Sequence, residues 1–582
     1  MKKDSRGQEF NPDRDGTGIL EPLNPILFLV FGVTMEKNAI LAFILSMVVF
    51  AAYFLLFPPQ EPSKPSKDKP AQTVSAQKEP PPAPSPTPPA VSSAPSRKTA
   101  VSKRSAKDIV VKTKRFEAVF SEQGATLKSH KLADYKEQLG SKDPKEMIRV
   151  DQPSAFPLQL EWIKKTQPEI AQAQFVADKG SLILTPDHPK GTLSFRWTSK
   201  QGLTIVKTYT LSYDSYRIDL DVQVINSTAQ VLDDNLSLRL ENRFPASTDT
   251  SASFQGALLL VNGQYKEVAL GKVDKDDVMT GKIQWGALSD TYFMGTVVPL
   301  EEQQTVSLRV SKPASEFLKI AFVTSPLTLA PKMEKRFRYA LFFGPRDTQI
   351  LQPLGLELEK AVNFGWFDII AKPLLWVLRF FYGFFHNYGW SIIILTILVK
   401  ILFWPLTHKS YKSMKEMQKL QPKIAKLREK YKDNREKLNQ ETMALYKTYK
   451  VNPMGGCLPM VIQIPVFFAL YSLLGYAIEL RHAPFFLWIN DLSAPDRLPI
   501  GVQIPYVGNG IPVLTLLMGA SMFIQQKMTP TTGDPTQAKM MLFLPVIFTF
   551  MFINFASGLV LYWLINNVLS IGQQYYINKY VN

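Results

Sequence analysis

Long uncharged stretches near the end of the chain limit its fold more than any other feature. Residues 540–578 contain no charged side chain across 39 positions. As a single helix they would extend about 58 Å, roughly twice the ~30 Å hydrocarbon core of a bilayer. The turn-like residues 554–558 form the break in this stretch, so we predict two membrane spans, 540–556 and 559–576.

Further apolar segments have the composition of membrane helices. Residues 38–57 carry no charge, and bulky residues lead directly into Pro58 and Pro59, where a cleaved signal peptide would have small residues. We therefore predict an uncleaved anchor at 35–57. The remaining predicted spans, which bring the total to six, are 387–406, 457–478 and 511–526.

The residues on either side of the anchor lack the pattern of a folded domain. Met35, followed by Glu-Lys-Asn and the anchor, resembles a natural start, so we interpret 1–34 as a non-native or disordered extension. Residues 58–107 are rich in Pro, Ala, Ser and Lys and show no apolar periodicity. Such a composition predicts an extended, disordered linker.

Residues 108–345 show the period-two pattern of β-strands. Apolar positions between Tyr216 and Val224 alternate with polar ones, and Leu203–Leu211 has a similar composition. The intervening Ser-Tyr-Asp-Ser predicts a turn between two strands. An all-β sandwich fits this domain best.

Residues 364–386 are apolar but do not form a clean span. On a helical wheel the polar side chains share one face: Asp368, Lys372, Arg379 and His386. This pattern predicts an amphipathic helix lying in the membrane interface, beginning around Pro373.

The loop 407–452 determines the predicted orientation. Between residues 407 and 450 there are thirteen Lys or Arg against five Asp or Glu, whereas 481–510 has two of each. Basic loops remain cytoplasmic. We therefore predict that both termini and the loop 527–539 are cytoplasmic, and that the β domain and the loop 479–510 are periplasmic in a multi-pass protein of the inner membrane.

The basic loop also has the pattern of a helical hairpin. Apolar residues from Met417 to Tyr431 follow a 3, 4, 3, 4 spacing, and a second series follows the break at 432–434. With a net charge of +17 on the chain, this position between two spans favours anionic phospholipids and nascent chains as partners over nucleic acid. The basic side chains that we assign to the hairpin surface are Lys415, Lys419, Lys423, Lys426 and Arg428.

One charge, Lys400, lies inside the span 387–406. A lysine there costs about 2.5–3.5 kcal/mol on insertion scales. It lies about six residues, or ~9 Å, from the cytoplasmic end, so its side chain could extend, or snorkel, to the headgroups. The alternative is a water-filled pocket whose fixed charge attracts acidic segments, with Thr396 on the same face. No acidic residue occurs in the spans to neutralise Lys400.

Polar residues in the other spans each fit an ordinary helix–helix hydrogen bond, and together they indicate a polar interior. They are Gln463, Gln525, Gln526, Asn566 and Asn567. Prolines within spans often mark flexibility or a cavity. A wall on which apolar segments slide is predicted from Pro465, Phe467, Phe468, Phe548 and Met551, although packing or lipid contact also explains such residues.

The chain offers little for an enzyme or a metal site. It has one cysteine and five scattered histidines without an HExxH pair, so we expect no metal, no cofactor and no catalytic residues. A solute transporter would need inverted repeats and paired intramembrane charges, which the sequence lacks. A membrane-anchored carbohydrate binder would leave five spans unexplained.

Several motifs resemble the YidC/Oxa/Alb family of membrane protein insertases, in its Gram-negative form with a large periplasmic domain. Over the β domain the resemblance depends mainly on order and size. The motifs are SIIILTILVKILFWPLT (391–407), LQPKI (420–424), VNPMGGCLPMVIQIPVFFALY (451–471), APFFLWINDLSAPD (483–496), KMTPTT (527–532) and SGLVLYWLINNVLSIGQQ (557–574).

The resemblance implies a five-helix core with a hydrophilic groove open to the cytoplasm and lipid. It also implies that the protein inserts and helps fold inner-membrane proteins, alone or with the Sec translocon and its accessory subunits. The family's groove charge is usually arginine. Lys400 keeps that charge but lacks the planar, two-pronged guanidinium. The residues assigned to the groove are Lys400, Thr396, Gln463, Gln525, Tyr562, Trp563 and Asn566.

The resemblance also bears on partners. Some relatives contact the ribosome through a long basic tail, whereas this chain has only Lys579 after Gln574. Contact with a ribosome or a targeting receptor would therefore depend on the hairpin within 407–452.

Overall fold

The computed structural model describes residues 105–245, 254–273, 276–301, 304–451, 458–504, 507–529 and 535–580. The chain divides into two compact units, Met1–Ala100 and Val101–Asn582, and the described residues belong to the second. The extension 1–34, the anchor 35–57 and nearly all of the linker 58–107 lie outside the described residues, so these predictions stay predictions.

The β domain of the described residues starts with a strand at Asp108. Its strands, numbered in chain order, are β1 (Asp108–Lys112), β2 (Phe116–Ser121), β3 (Thr126–Lys136), β4 (Pro144–Glu146), β5 (Gln159–Trp162), β6 (Val176–Ala177), β7 (Ser181–Ile183), β8 (Lys190–Thr198), β9 (Leu203–Ser212), β10 (Arg217–Asn226), β11 (Leu232–Asp234), β12 (Leu236–Arg243), β13 (Gln255–Val261), β14 (Gln264–Ala269), β15 (Asp277–Thr280), β16 (Ile283–Asp290), β17 (Phe293–Pro299), β18 (Thr305–Ser311), β19 (Phe317–Thr324), β20 (Leu327–Leu329) and β21 (Glu334–Pro345).

These strands form a sandwich. A nine-stranded sheet has the order β14-β13-β16-β17-β21-β10-β9-β8-β6, and five-stranded sheets have the orders β15-β18-β19-β12-β5 and β4-β3-β2-β1-β7. Gly286 of β16 lies so close to Phe322 of β19 that an added Cβ would meet the ring at 3.0 Å. The nine-stranded sheet therefore packs face to face on the sheet that contains β19.

The predicted strand pair is confirmed. β9 and β10 pair antiparallel with Leu211 opposite Ile218, and the turn between them occupies residues 213–216. The apolar side chains of β10 are buried at every second position, because successive side chains of a strand point to opposite faces of the sheet.

The helices of the described residues, numbered in chain order, are α1 (Thr348–Leu351), α2 (Asp368–Phe385), α3 (Tyr388–Lys430), α4 (Arg435–Thr448), α5 (Leu458–Tyr476), α6 (Val513–Met528), α7 (Pro535–Phe552) and α8 (Ser557–Tyr580). The break between α7 and α8 falls within residues 553–556, so the long uncharged stretch folds back close to the position predicted.

The amphipathic helix α2 begins at Asp368, so the predicted start around Pro373 is wrong. The Asp368 carboxylate accepts a hydrogen bond from Phe364 N at 3.0 Å and pairs with Lys372 at 2.7 Å. These contacts stabilise a first turn ahead of the proline, which then removes one backbone hydrogen bond inside the helix. Exposed apolar side chains cover one side of α2: Ile369, Trp376, Phe380 and Phe384.

Helix α3 joins the predicted span 387–406 and the first half of the predicted hairpin in one helix of 43 residues. The Asn387 side chain starts it by accepting from Gly389 N at 2.9 Å and Trp390 N at 3.3 Å. Among the described residues, α3 is the helix whose length and composition fit a membrane span, and shorter apolar segments are Val461–Tyr476 and Met541–Phe552. The count of six spans therefore remains a prediction.

The end of α3 packs against the segment that contains α4. Met417, Leu420 and Ile424 form a small buried cluster with Val451. α4 begins after the predicted break, where the Asn434 side chain accepts from Lys437 N at 2.9 Å. The second predicted apolar series is less buried than the first, and Tyr449 in it is exposed; its members are Leu438, Thr442, Leu445 and Tyr449.

Candidate functional site

Lys400 lies in α3 and points into the helical cluster. Only 7% of the residue is exposed. Its Nζ donates to Ser570 Oγ at 2.6 Å and to Asn566 Oδ1 at 3.4 Å, and both acceptors lie on α8. A snorkelling lysine would instead extend its ammonium to the surface. The ammonium is therefore held between helices by two neutral side chains.

The Ser570 hydroxyl has a defined orientation. It donates to Asn566 O at 2.7 Å, so it uses its lone pairs to accept from Lys400. The Tyr411 side chain of α3 interacts with Ser570 and with Gln525 of α6. Of the predicted groove residues, Asn566 therefore contacts Lys400 directly, and Gln525 is linked to it through Tyr411 and Ser570.

A polar face of α8 continues from this centre towards the end of the helix. It carries three buried amides that each bond to another helix. Asn567 Nδ2 donates to Ser521 Oγ at 3.0 Å, Gln573 Nε2 to Thr407 Oγ1 at 2.8 Å, and Gln574 Nε2 to Met528 O at 2.7 Å. The side of α8 that faces α3 and α6 is therefore polar.

The sequence-based site missed Ser570 and Gln573. The four-residue spacing of Asn566, Ser570 and Gln574 was a usable signal, since residues four apart share one face of a helix. The residue type gives no signal for Ser570, since a serine in a membrane helix usually bonds to its own backbone, as this one also does.

Three other predicted groove residues have partners other than the lysine. Thr396 is buried, and its hydroxyl donates to Ile392 O at 2.7 Å on its own helix. Gln463 of α5 interacts with the Tyr562 hydroxyl of α8. The contact between Gln463 and Tyr562 joins α5 to α8 one turn before Asn566.

The predicted apolar wall is divided in the structure. The Trp563 ring of α8 lies 4.8 Å from Phe467 of α5 and 6.1 Å from Phe548 of α7, measured between ring centroids. These rings form a cluster that links the three helices. Phe468 instead stacks on Phe367 at 5.8 Å, and Met551 is exposed. Pro465 is half-buried inside α5.

The predicted basic side chains of the hairpin have different surroundings. Lys415 Nζ donates to Asn578 O at 3.1 Å, which ties α3 to the end of α8. The Lys423 ammonium lies 4.1 Å from the centroid of the Tyr449 ring. Lys419 and Lys426 are exposed, and Arg428 is half-buried.

Arg379 of α2 contacts protein carboxylates. Its guanidinium donates to Glu479 Oε1 at 2.7 Å, to Asp347 Oδ1 at 2.8 Å and to Thr348 Oγ1 at 2.8 Å. Burial raises the pKa of Glu479, and the charge of Arg379 opposes that shift. Arg379 thus joins α2, the residues after β21 and the residues after α5, a role that the helical wheel did not predict.

The loop between α5 and α6 carries a buried carboxylate. Asp496 is 2% exposed and accepts from Leu514 N at 2.5 Å and Thr515 N at 3.2 Å, in the first turn of α6. The Trp488 indole donates to the same carboxylate at 2.5 Å. Asp496 therefore supplies the negative charge that the start of a helix favours.

Comparisons with known proteins agree along nearly all of the second unit. The model of the family described as "60Kd inner membrane protein" matches residues 380–582, and that described as "YidC periplasmic domain" matches residues 108–377. A protein of Geotalea daltonii named "Membrane protein insertase YidC" is 44% identical over 554 residues, which cover 94% of this chain and 99% of that protein. A protein of the same name from Syntrophus aciditrophicus is 43% identical over 558 residues, covering 94% and 100%.

Solved structures are less similar. One, described as an active YidC insertase with its first transmembrane domain resolved, is 21% identical and covers 82% of this chain and 94% of that chain, with a TM-score of 0.35. A score this low supports no argument about the site.

Proposed function

This chain belongs to the YidC family of membrane protein insertases, and we propose on that basis that it inserts nascent proteins into the inner membrane. The observation that carries the proposal is the buried Lys400 ammonium, which has only neutral partners among the described residues. A buried cation without a counter-ion is costly, so a lysine at this position fits a function that uses its charge.

The proposed mechanism uses neither ATP nor covalent chemistry. The polar tail of an arriving protein enters a hydrophilic groove open to the cytoplasm, attracted by Lys400 and hydrated by the polar face of α8. Its apolar segment leaves along Phe467, Phe548 and Trp563, whose rings link α5, α7 and α8. The protein lowers the cost of bringing backbone and charge into hydrocarbon. Burial of some twenty apolar residues in the bilayer then drives insertion.

The proposed topology has six spans, with both termini in the cytoplasm and the β domain in the periplasm. The exposed apolar side of α2 lies in the outer leaflet. Lys419 and Lys426, exposed on α3, contact anionic phospholipids and a ribosome or targeting receptor. The protein receives some of its substrates from the Sec translocon and its accessory subunits, and it also helps substrates to fold.

Depletion of the protein in its own cells tests this function. The insertion of a small single- or double-span protein is followed by protease protection of its translocated tail. We expect insertion to fall as the protein is depleted and to recover when the wild-type chain is supplied from a plasmid. Unchanged insertion during depletion would contradict the proposed function.

A further inference from the structure

We propose that Ser570 and Asn566 are positioning residues, which hold the Lys400 ammonium so that one of its N–H groups remains for a carboxylate of the arriving protein. The inference rests on the insertion function proposed above. On this proposal, the preference for acidic over neutral tails depends on these two residues of α8 as well as on Lys400.

The first argument is geometric. Ser570 and Asn566 lie one turn apart on α8, and their oxygens are 2.6 Å and 3.4 Å from Lys400 Nζ. A lysine has a flexible four-carbon side chain, so one contact leaves its nitrogen free to move. Two acceptors on a rigid helix fix the position and direction of the ammonium. A charged group that is held in place in this way binds a ligand better than a mobile one.

The second argument counts hydrogen-bond donors. An ammonium has three, and Ser570 and Asn566 take two of them. The Ser570 hydrogen is already used on Asn566 O, so this hydroxyl can only accept from the lysine. Within the described ranges the third donor has no protein acceptor, and a carboxylate there would form a charge-assisted hydrogen bond.

The third argument concerns charge. Serine and asparagine satisfy the ammonium without neutralising it, whereas an aspartate at either position would form an internal ion pair. Such a pair would compete with an acidic tail. Asn566→Asp, which changes the side chain by little more than charge, should therefore remove the preference for acidic tails.

The experiment compares two single-span proteins that differ only in Glu or Gln at several positions of the translocated tail. Full-length variants replace the wild type during depletion, and the ratio of inserted acidic to inserted neutral protein is measured. We expect Ser570→Ala to lower this ratio roughly threefold to tenfold, because a hydrogen bond to a charge is lost while Asn566 remains. Ser570→Thr, which keeps the hydroxyl, should restore it.

The matched control is Ser521→Ala. Ser521 is also a buried helical serine, but it accepts from Asn567 Nδ2 and does not contact Lys400. The ratio should stay at the wild-type value in this variant. An equal loss for both proteins in Ser570→Ala, or the same fall in Ser521→Ala, would mean that Ser570 is only structural and would overturn the inference.

A double substitution tests whether Ser570 acts through the lysine. In a Lys400→Gln background, Ser570→Ala should no longer change the ratio. A further fall would contradict a positioning role. Failure of the proposed function looks different, since then neither substrate would depend on the wild-type protein.

Discussion

At the residue scale, Lys400 offers the most direct test of charge attraction. Lys400→Arg keeps a permanent positive charge, and Lys400→Glu reverses it. We expect the glutamate variant to impair insertion of acidic tails by about tenfold or more relative to the arginine variant, and neutral tails much less. Protease protection of both tails, normalised to the amount of each variant, measures this. Full and equal activity of both variants would mean that the charge at position 400 does not attract the arriving protein.

His130 shows how burial sets the stability of the β domain. Its ring lies 4.3 Å from that of Phe116 and 5.4 Å from that of Phe343, and burial lowers the pKa of His130 to about 3. In the unfolded chain its pKa is about 6.5. The unfolded state therefore binds more protons between these values, and the domain loses stability as the pH falls below about 6.5.

The corresponding prediction concerns His130→Phe. Between pH 7 and pH 5 the wild type should lose about 2 kcal/mol more of its free energy of unfolding than this variant, because phenylalanine does not titrate. Thermal unfolding of the full-length protein in detergent at several pH values measures the difference. His188 is exposed, so His188→Phe should keep the wild-type pH dependence. If His130→Phe kept the pH dependence of the wild type, His130 would not be the group that destabilises the domain at low pH.

At the scale of elements, α6 and α7 pack closely through Gly519. A Cβ at this position would overlap the Thr549 side chain of α7. Small residues permit such close approach between membrane helices. Gly519→Ala should therefore lower the free energy of unfolding by about 1–3 kcal/mol, which thermal unfolding in detergent measures. Combining it with Thr549→Ala, which removes the overlapping hydroxyl, should recover part of the loss.

The control for this prediction is Gly572→Ala. Gly572 is a helical glycine of α8 around which an added Cβ would meet nothing within 4 Å. This substitution should be neutral or stabilising by up to about 1 kcal/mol, since alanine favours a helix. Equal losses at both glycines would show that backbone flexibility, rather than contact with Thr549, is responsible.

The elements also show which features the sequence can predict. Period-two alternation located β9 and β10 correctly, because one face of a buried strand is apolar throughout. Composition divided α3 at residue 407, where apolar residues give way to basic ones, but the backbone continues through that boundary to Lys430. The predicted start of α2 is five residues late, because a proline is typical of the first turn of a helix. The contacts of Asp368 that stabilise an earlier turn become visible only in the folded structure.

At the site, too, the sequence predicts single residues better than the contacts between them. A charge or an amide inside an apolar span is visible in a sequence, so Lys400 and Asn566 could be predicted. Their contact depends on how α3 packs against α8, 166 residues later in the chain. The helical wheel placed Arg379 on the polar face of α2, but it could not identify its carboxylate partners, which are 32 and 100 residues away in the chain.

At the scale of the whole molecule, two arginines connect the β domain to the helices. Arg379 bonds to Asp347, just after β21, and to Glu479, just after α5. Arg481 donates to Lys136 O at 2.8 Å and Glu137 O at 3.0 Å, at the end of β3. The residues after α5 are therefore held against both α2 and the β domain by charge-assisted hydrogen bonds.

Removing Arg379 should loosen this connection. Arg379→Met leaves the largely buried carboxylates of Asp347 and Glu479 without their cation, which costs about 3–5 kcal/mol for buried pairs. We expect a lower unfolding temperature and faster hydrogen exchange in α2 and in residues 477–482, with the inner strands of the β domain unaffected. Arg379→Met with Glu479→Met should recover part of the stability, because it removes one of the two unpaired charges.

Lys372 provides the control for Arg379. It lies on the same helix and pairs with Asp368, but both side chains are partly exposed, so Lys372→Met should cost less than about 1 kcal/mol and leave exchange in residues 477–482 unchanged. Equal effects of the two substitutions would mean that α2 is held mainly by its apolar contacts. The exposed apolar side of α2 would then orient the helical cluster independently of the β domain.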